Sequence, residues 1–170
     1  MTTKTNRQFF LEKFNAELPI FMRVFKATGA THKSKHGHRH DPKGKSALEM
    51  MSHTFAMEGG SLVDIVKTGK IDFGARMKKP MAKTIPLAAK VFEKSYKETA
   101  KIITKMKDTE WETGTAAMMQ GKTAVWKTTK MDMMWGMLFD LIHHRGQLST
   151  YIRPMGGKVP SIYGPSADSK

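Results

Sequence analysis

The chain predicts an all-α fold, a bundle of long helices, and three observations predict it. Apolar residues recur at helical spacing in four long stretches. Helix-start and helix-stop residues bracket most of them. The stretches are joined by polar connections containing glycine or proline, with no internal repeat and no long linker. At 170 residues the sequence can bury one ordinary core, so a single domain over residues 1–170 is expected.

The first helix is expected over residues 8–26, where Phe14, Leu18, Phe21 and Phe25 keep one face apolar. Pro19 lies inside it. A proline there removes a backbone donor and crowds the preceding turn, which predicts a kink or a fresh helix start at Pro19. Residues 29–45 are basic, polar and glycine-containing and read as a solvated loop.

The second helix opens on Ser46-Ala47-Leu48-Glu49, a capping box in which side chains at both ends satisfy otherwise unpaired amides. It should reach Thr68, with Gly69 as its left-handed cap. The interior pair Gly59-Gly60 is unfavourable in a helix, and it implies a close neighbour or a local break. Residues 71–84 form a connection bracketed by Lys79-Pro80 and Ile85-Pro86. Pro86 suits the first turn of a third helix running to Lys107. Residues 108–130 mix Thr, Gly, Trp111 and Trp126 without a steady period, and read as a long loop with room for a short extended piece. The fourth helix spans residues 131–153 and ends at Pro154 and Gly156-Gly157.

Lys and Arg number 29 against 15 Asp and Glu, a formal net charge of +14. Such an excess raises nucleic acid as a partner. The charge, however, gathers on Lys90, Lys94, Lys97, Lys101 and Lys105, one narrow stripe of the third helix, which describes the solvated side of an amphipathic helix. Few aromatics or arginines accompany it, unlike the surfaces that bind single strands. There is no cysteine, which excludes disulfides, thiolate ligands and a protein thiol nucleophile. No signal-peptide core and no bilayer-length apolar run is present, so a cytoplasmic protein without membrane association is expected.

The most informative segment is Phe139-Asp140-Leu141-Ile142-His143-His144-Arg145-Gly146-Gln147 and its continuation to Tyr151. In the fourth helix Met134, Leu138, Leu141, Leu148 and Ile152 form the core stripe, with Ile142 beside it. Asp140, His144, Gln147 and Tyr151 form a second, polar stripe in line with Met133 and Met137, which suits the wall of a pocket. Asp140 and His144 stand four residues apart, so a carboxylate and an imidazole project one turn apart from one face. His53, the only histidine in another strongly apolar helical stretch, is the natural third ligand. A two-histidine, one-carboxylate site would suit zinc, nickel, iron or manganese and leave positions open for water or substrate. The alternative is an ordinary helical Asp–His pair with His53 hydrogen-bonded in the core. His32, His36, His38 and His40 are a competing metal signal, but Lys33, Lys35 and Arg39 among them repel a cation.

The run from His143 to Arg153, the tail from Gly156 to Ser166, and His40-Asp41-Pro42-Lys43 leading to the Ser46 capping box and His53 together resemble the DinB-like (damage-inducible B, YfiT-like) superfamily. The resemblance implies a four-helix bundle in up-down-down-up order, a homodimer, and a divalent metal held by three side chains. The family's ligand positions fall on His53, Asp140 and His144. Its commonest pattern has histidine where this chain has Asp140, a departure that favours harder metals. His143, Arg145, Gln147 and Tyr151 would stand behind the ligands or line the substrate pocket, with Gly146 permitting close helix contact. Relatives include thiol-dependent transferases and isomerases, so a metal-dependent enzyme activating a low-molecular-weight thiol on a small-molecule substrate is implied, metal-assisted hydrolysis being a second chemistry. The alternative is a stress-related module that binds metal, anions or nucleic acid without catalysis.

Overall fold

Thr5 starts the first helix of the protein, seen in a computed structural model that describes residues 3–78 and 80–169, without the side chains of Phe73 and Met77. Met1 and Thr2 of the polar N-terminus, Lys79 of the Lys79-Pro80 pair, and Lys170 lie outside the described residues. Thr5 and Gln8 form a capping box, and α1 runs over Asn6–Gly29. It passes through Pro19 as one helix, where a fresh start was an expected alternative. Pro19 and Asn15, whose carbonyl loses its helical partner, are both exposed, so that carbonyl is open to solvent.

The second helical rod has three segments: α2 (Ala47–Glu49), a π-helical stretch (Met50–Ala56) and α3 (Met57–Thr68). Both expected ends are present. Ser46 and Glu49 complete the capping box, and Gly69 closes the rod at φ 69°. Gly59 and Gly60 each make room for a neighbour. A Cβ on Gly59 would stand 3.2 Å from the Phe92 ring, and one on Gly60 would collide with the Arg76 guanidinium. That guanidinium donates to the Met57 carbonyl at 3.4 Å and pairs with Asp64.

After β1 (Lys70–Asp72) and the short α4 (Phe73–Met77), Thr84 caps α5 (Ile85–Lys105), with Pro86 in its first turn as expected. Lys90, Lys94, Lys97, Lys101 and Lys105 are all exposed. The stretch read as a long loop with room for a short extended piece holds more order than that, folding into α6 (Asp108–Thr113) and the hairpin β2 (Thr115–Gln120) and β3 (Thr123–Thr129). Gly121, at φ 61°, makes the two-residue turn between the strands. β1 joins β2 in parallel, so the all-α expectation is corrected to a mostly helical fold with a three-stranded sheet in the order β1-β2-β3. Thr129 caps α7 (Lys130–Tyr151).

α1 packs on α5 and α7, and the π segment with α3 packs on the same two helices. Between them lies an aromatic core in which Phe14 stacks on Tyr96 at 3.7 Å while Phe21, Phe25, Phe55 and Phe92 meet at tilted or edge angles. The core positions expected of α7 are buried: Met134, Leu138, Leu141, Leu148 and Ile152. No described helix is long and apolar enough to cross a membrane.

Candidate metal centre

Asp140 and His144 face each other across one turn of α7, with His144 Nε2 3.4 Å from Asp140 Oδ2. The third member of the group is Glu58. Ligand atoms of Glu58, Asp140 and His144 lie within 4.8 Å of one another, and this is the metal-capable group among the described residues. The expected third residue, His53, does not join them. Met50, Thr54 and Glu58 recur every four residues and turn toward α7, whereas His53, Met57, Gly60 and Asp64 lie along another face of the rod. That face borders a separate cavity of 610 Å³ with Leu87, Val91 and Ser95 of α5. Helix geometry thus parts His53 from the α7 pair and puts a carboxylate where an imidazole was expected.

Glu58 is the chemically unusual member. Its Oε2 is buried without a hydrogen-bond partner. Burial and the neighbouring Asp140 carboxylate push its carboxyl up to about 8, a rise that the charge of Lys45 partly opposes. A buried acid oxygen with no donor, on a carboxyl group close to a second carboxylate, is a costly arrangement for a plain folded chain. One divalent cation would satisfy both acids.

The imidazole is prepared for the same task. His144 Nδ1 meets Gln147 Oε1 at 2.8 Å, and Gln147 Nε2 meets His143 Nε2 at 2.9 Å. With the Gln147 oxygen accepting from Nδ1–H, the lone pair of His144 lies on Nε2, the atom facing Asp140. Gln147 then donates to His143, which is exposed and is linked to the His144 ring through this amide. Two carboxylates and one imidazole make a harder donor set than the one expected from the sequence, suited to zinc, iron or manganese.

A cavity of 420 Å³ opens beside His144, lined by His40, Lys45, Met50, Thr54, Gln147 and Tyr151 among others. Tyr151 is nearly buried, and its hydroxyl donates to the Lys45 carbonyl at 2.9 Å. The histidine-bearing loop is therefore not simply solvated. Its His40 ring lies on Tyr151 at 4.1 Å and its His38 ring at 6.1 Å, while His32 sits against Gly156. His38 and His40 meet edge to face at 5.2 Å, but these histidines form no metal-capable group of three among the described residues.

Arg145 is a clamp and lines neither cavity. Its side chain is 1% exposed, pairs with Glu17 of α1, donates to the Tyr163 hydroxyl at 2.5 Å and lies over the rings of Phe21 and Tyr163. It binds α7 to α1 and to the C-terminal tail. Gly146 faces open space, so the close helix contact expected there is not made within the chain.

No curated protein matches the chain in sequence. The fold is similar to the crystal structure of a DinB-like protein, YjoA, from Bacillus subtilis, with a TM-score of 0.64 and 15% identity over 95% of this chain and 99% of that one. In sequence, the DinB family profile matches residues 32–169, which include the histidine-bearing loop, the π segment, all of α7 and most of the tail. The chain belongs to the DinB family.

Proposed function

We propose that this chain is a single-domain, divalent-metal-dependent enzyme whose ion is held by Glu58, Asp140 and His144, with a low-molecular-weight thiol or a water molecule as the activated group. The partnerless, buried Oε2 of Glu58 opposite Asp140 carries this reading. Glu58 here takes the place that the resemblance gave to His53. A divalent ion at this point supplies Lewis acidity, which lowers the pKa of a thiol or water at an open position. The chain supplies the rest. Glu58 and Asp140 bring the negative charge, Gln147 holds the His144 tautomer, and the cavity beside His144 admits a small substrate. Because the chain has no cysteine, any thiol comes from a second molecule. The long helices are read as an up-down-down-up bundle, as in the family.

The experiment is metal analysis of protein purified without a nickel column, followed by transferase, isomerase and hydrolase assays with a panel of small thiols. About one equivalent of zinc, iron or manganese per chain, lost on replacing Glu58 with Ala, is expected. Metal-free protein that takes up none of these ions would refute the proposal.

A further inference from the structure

The cavity beside His144 has a mixed lining. Met50 and the ring of Tyr151 supply apolar surface, and His40, Lys45, Thr54, Gln147 and Thr150 supply polar groups. Lys45 is held at this cavity through its backbone, since its carbonyl accepts the Tyr151 hydroxyl. Its charge reaches Glu58, where it favours the carboxylate. It makes no ion pair among the described residues. His40 Nε2 lies 3.0 Å from the Thr150 hydroxyl oxygen, and that hydroxyl donates to the Gln147 carbonyl at 2.8 Å. The Thr150 oxygen therefore accepts from His40, which fixes His40 as a donor on that side.

The charges of the loaded site can be counted. Two carboxylates cancel a divalent ion, and His144 enters neutral through Nε2. Lys45 is then the uncompensated charge of the cavity, and a positive one. Resting on the metal reading above, we propose that this cavity binds a small organic carboxylate with an apolar body, its acid end paired with Lys45 and its body lying along Met50 and Tyr151. At 420 Å³ the space suits a small metabolite.

Zinc-loaded protein is titrated calorimetrically with phenylacetate and with phenylacetamide, which share shape and differ in charge. We expect the acid to bind about tenfold more tightly than the amide, as a charge-assisted contact implies. Lys45→Met should bring the two affinities together by weakening the acid alone, and Lys45→Arg should keep the preference. Equal affinities in the wild type overturn the inference. So does a preference that survives Lys45→Met, because the carboxylate would then be reading the metal. Zinc content is measured on the same samples. A zinc-replete wild type without acid preference overturns this inference and leaves the metal reading standing, whereas failure to hold zinc overturns the metal reading and the charge balance built on it.

Discussion

At the scale of single residues, the proposed metal centre turns on Glu58. Its carboxyl is raised to about 8 from an ordinary 4.5, chiefly by burial and then by Asp140, so the folded chain holds a proton there at neutral pH that the unfolded chain releases. Between those two values the folded state binds more protons. This group's contribution to stability is thus fullest below pH 4.5 and is lost as pH rises through 8 in the metal-free protein. An ion bound at the proposed centre would displace the same proton, so metal uptake would strengthen with rising pH and release a proton. We expect zinc affinity to climb by up to about tenfold per pH unit toward pH 8. Calorimetry in buffers of different ionisation enthalpy counts the released proton. Glu58→Gln should weaken zinc more than about a hundredfold and flatten this slope, whereas His53→Ala should change affinity less than about twofold. The reverse ranking would return His53 to the ligand set. Gln147→Leu frees the His144 tautomer, and competitive chelator titration should show a loss of about 10–100-fold in zinc affinity with the fold intact. The α7 pair was legible in the sequence because four residues on one helix fix a geometry locally. Glu58 did not enter the sequence reading because the search for a third ligand stopped at histidines. A signal existed: Glu58 stands in an apolar, glycine-rich helix with Thr54, Phe55, Ser61 and Leu62 at helical neighbour positions, so no base on its own helix explains the acid.

Elements were read well where their ends are written locally. Ser46 with Glu49, Gly69, and Thr84 with Pro86 act within a turn of themselves, and each stands where its residue type requires. The sheet was not legible, because β1 pairs with a strand some forty-five residues later in the chain and no local period announces that pairing. Gly121 with Lys122 between two threonine-bounded strands was the one available sign. The π stretch left no pattern to read, yet it holds Met50 and Thr54, the two residues that lead along the rod to Glu58. Between elements, the most deeply buried ion pair among the described residues is Arg145 with Glu17. Truncating one partner of a buried pair strands the other charge, so Arg145→Met should destabilise the protein by about 3–5 kcal/mol in urea denaturation. It should also free the tail for cleavage near Tyr163 under limited proteolysis. Zinc stoichiometry at low temperature should persist, which separates this clamp from the ligands beside it in sequence.

For the molecule as a whole, an exposed aromatic cluster joins α1 to α7: Phe9 is 47% and Phe139 61% exposed, with Trp135 between them at ring distances of 6.1 and 5.5 Å. Such a cluster supports the homodimer that the family resemblance implies. We expect light scattering to give a dimer mass that falls to the monomer on Phe9→Ser with Phe139→Ser; a monomeric wild type at working concentration would remove the proposal. The lysine stripe of α5 has a consequence of another kind, in time rather than in affinity. With a net charge of +14, a zinc ion approaching the proposed centre would meet a repulsive field, while an organic anion would be drawn in by the same field. Salt shortens the reach of that field to about 10 Å at 0.1 M. Stopped-flow loading should therefore speed up for the metal and slow down for phenylacetate as salt is added, so that one protein shows opposite ionic-strength slopes for the two components of its site.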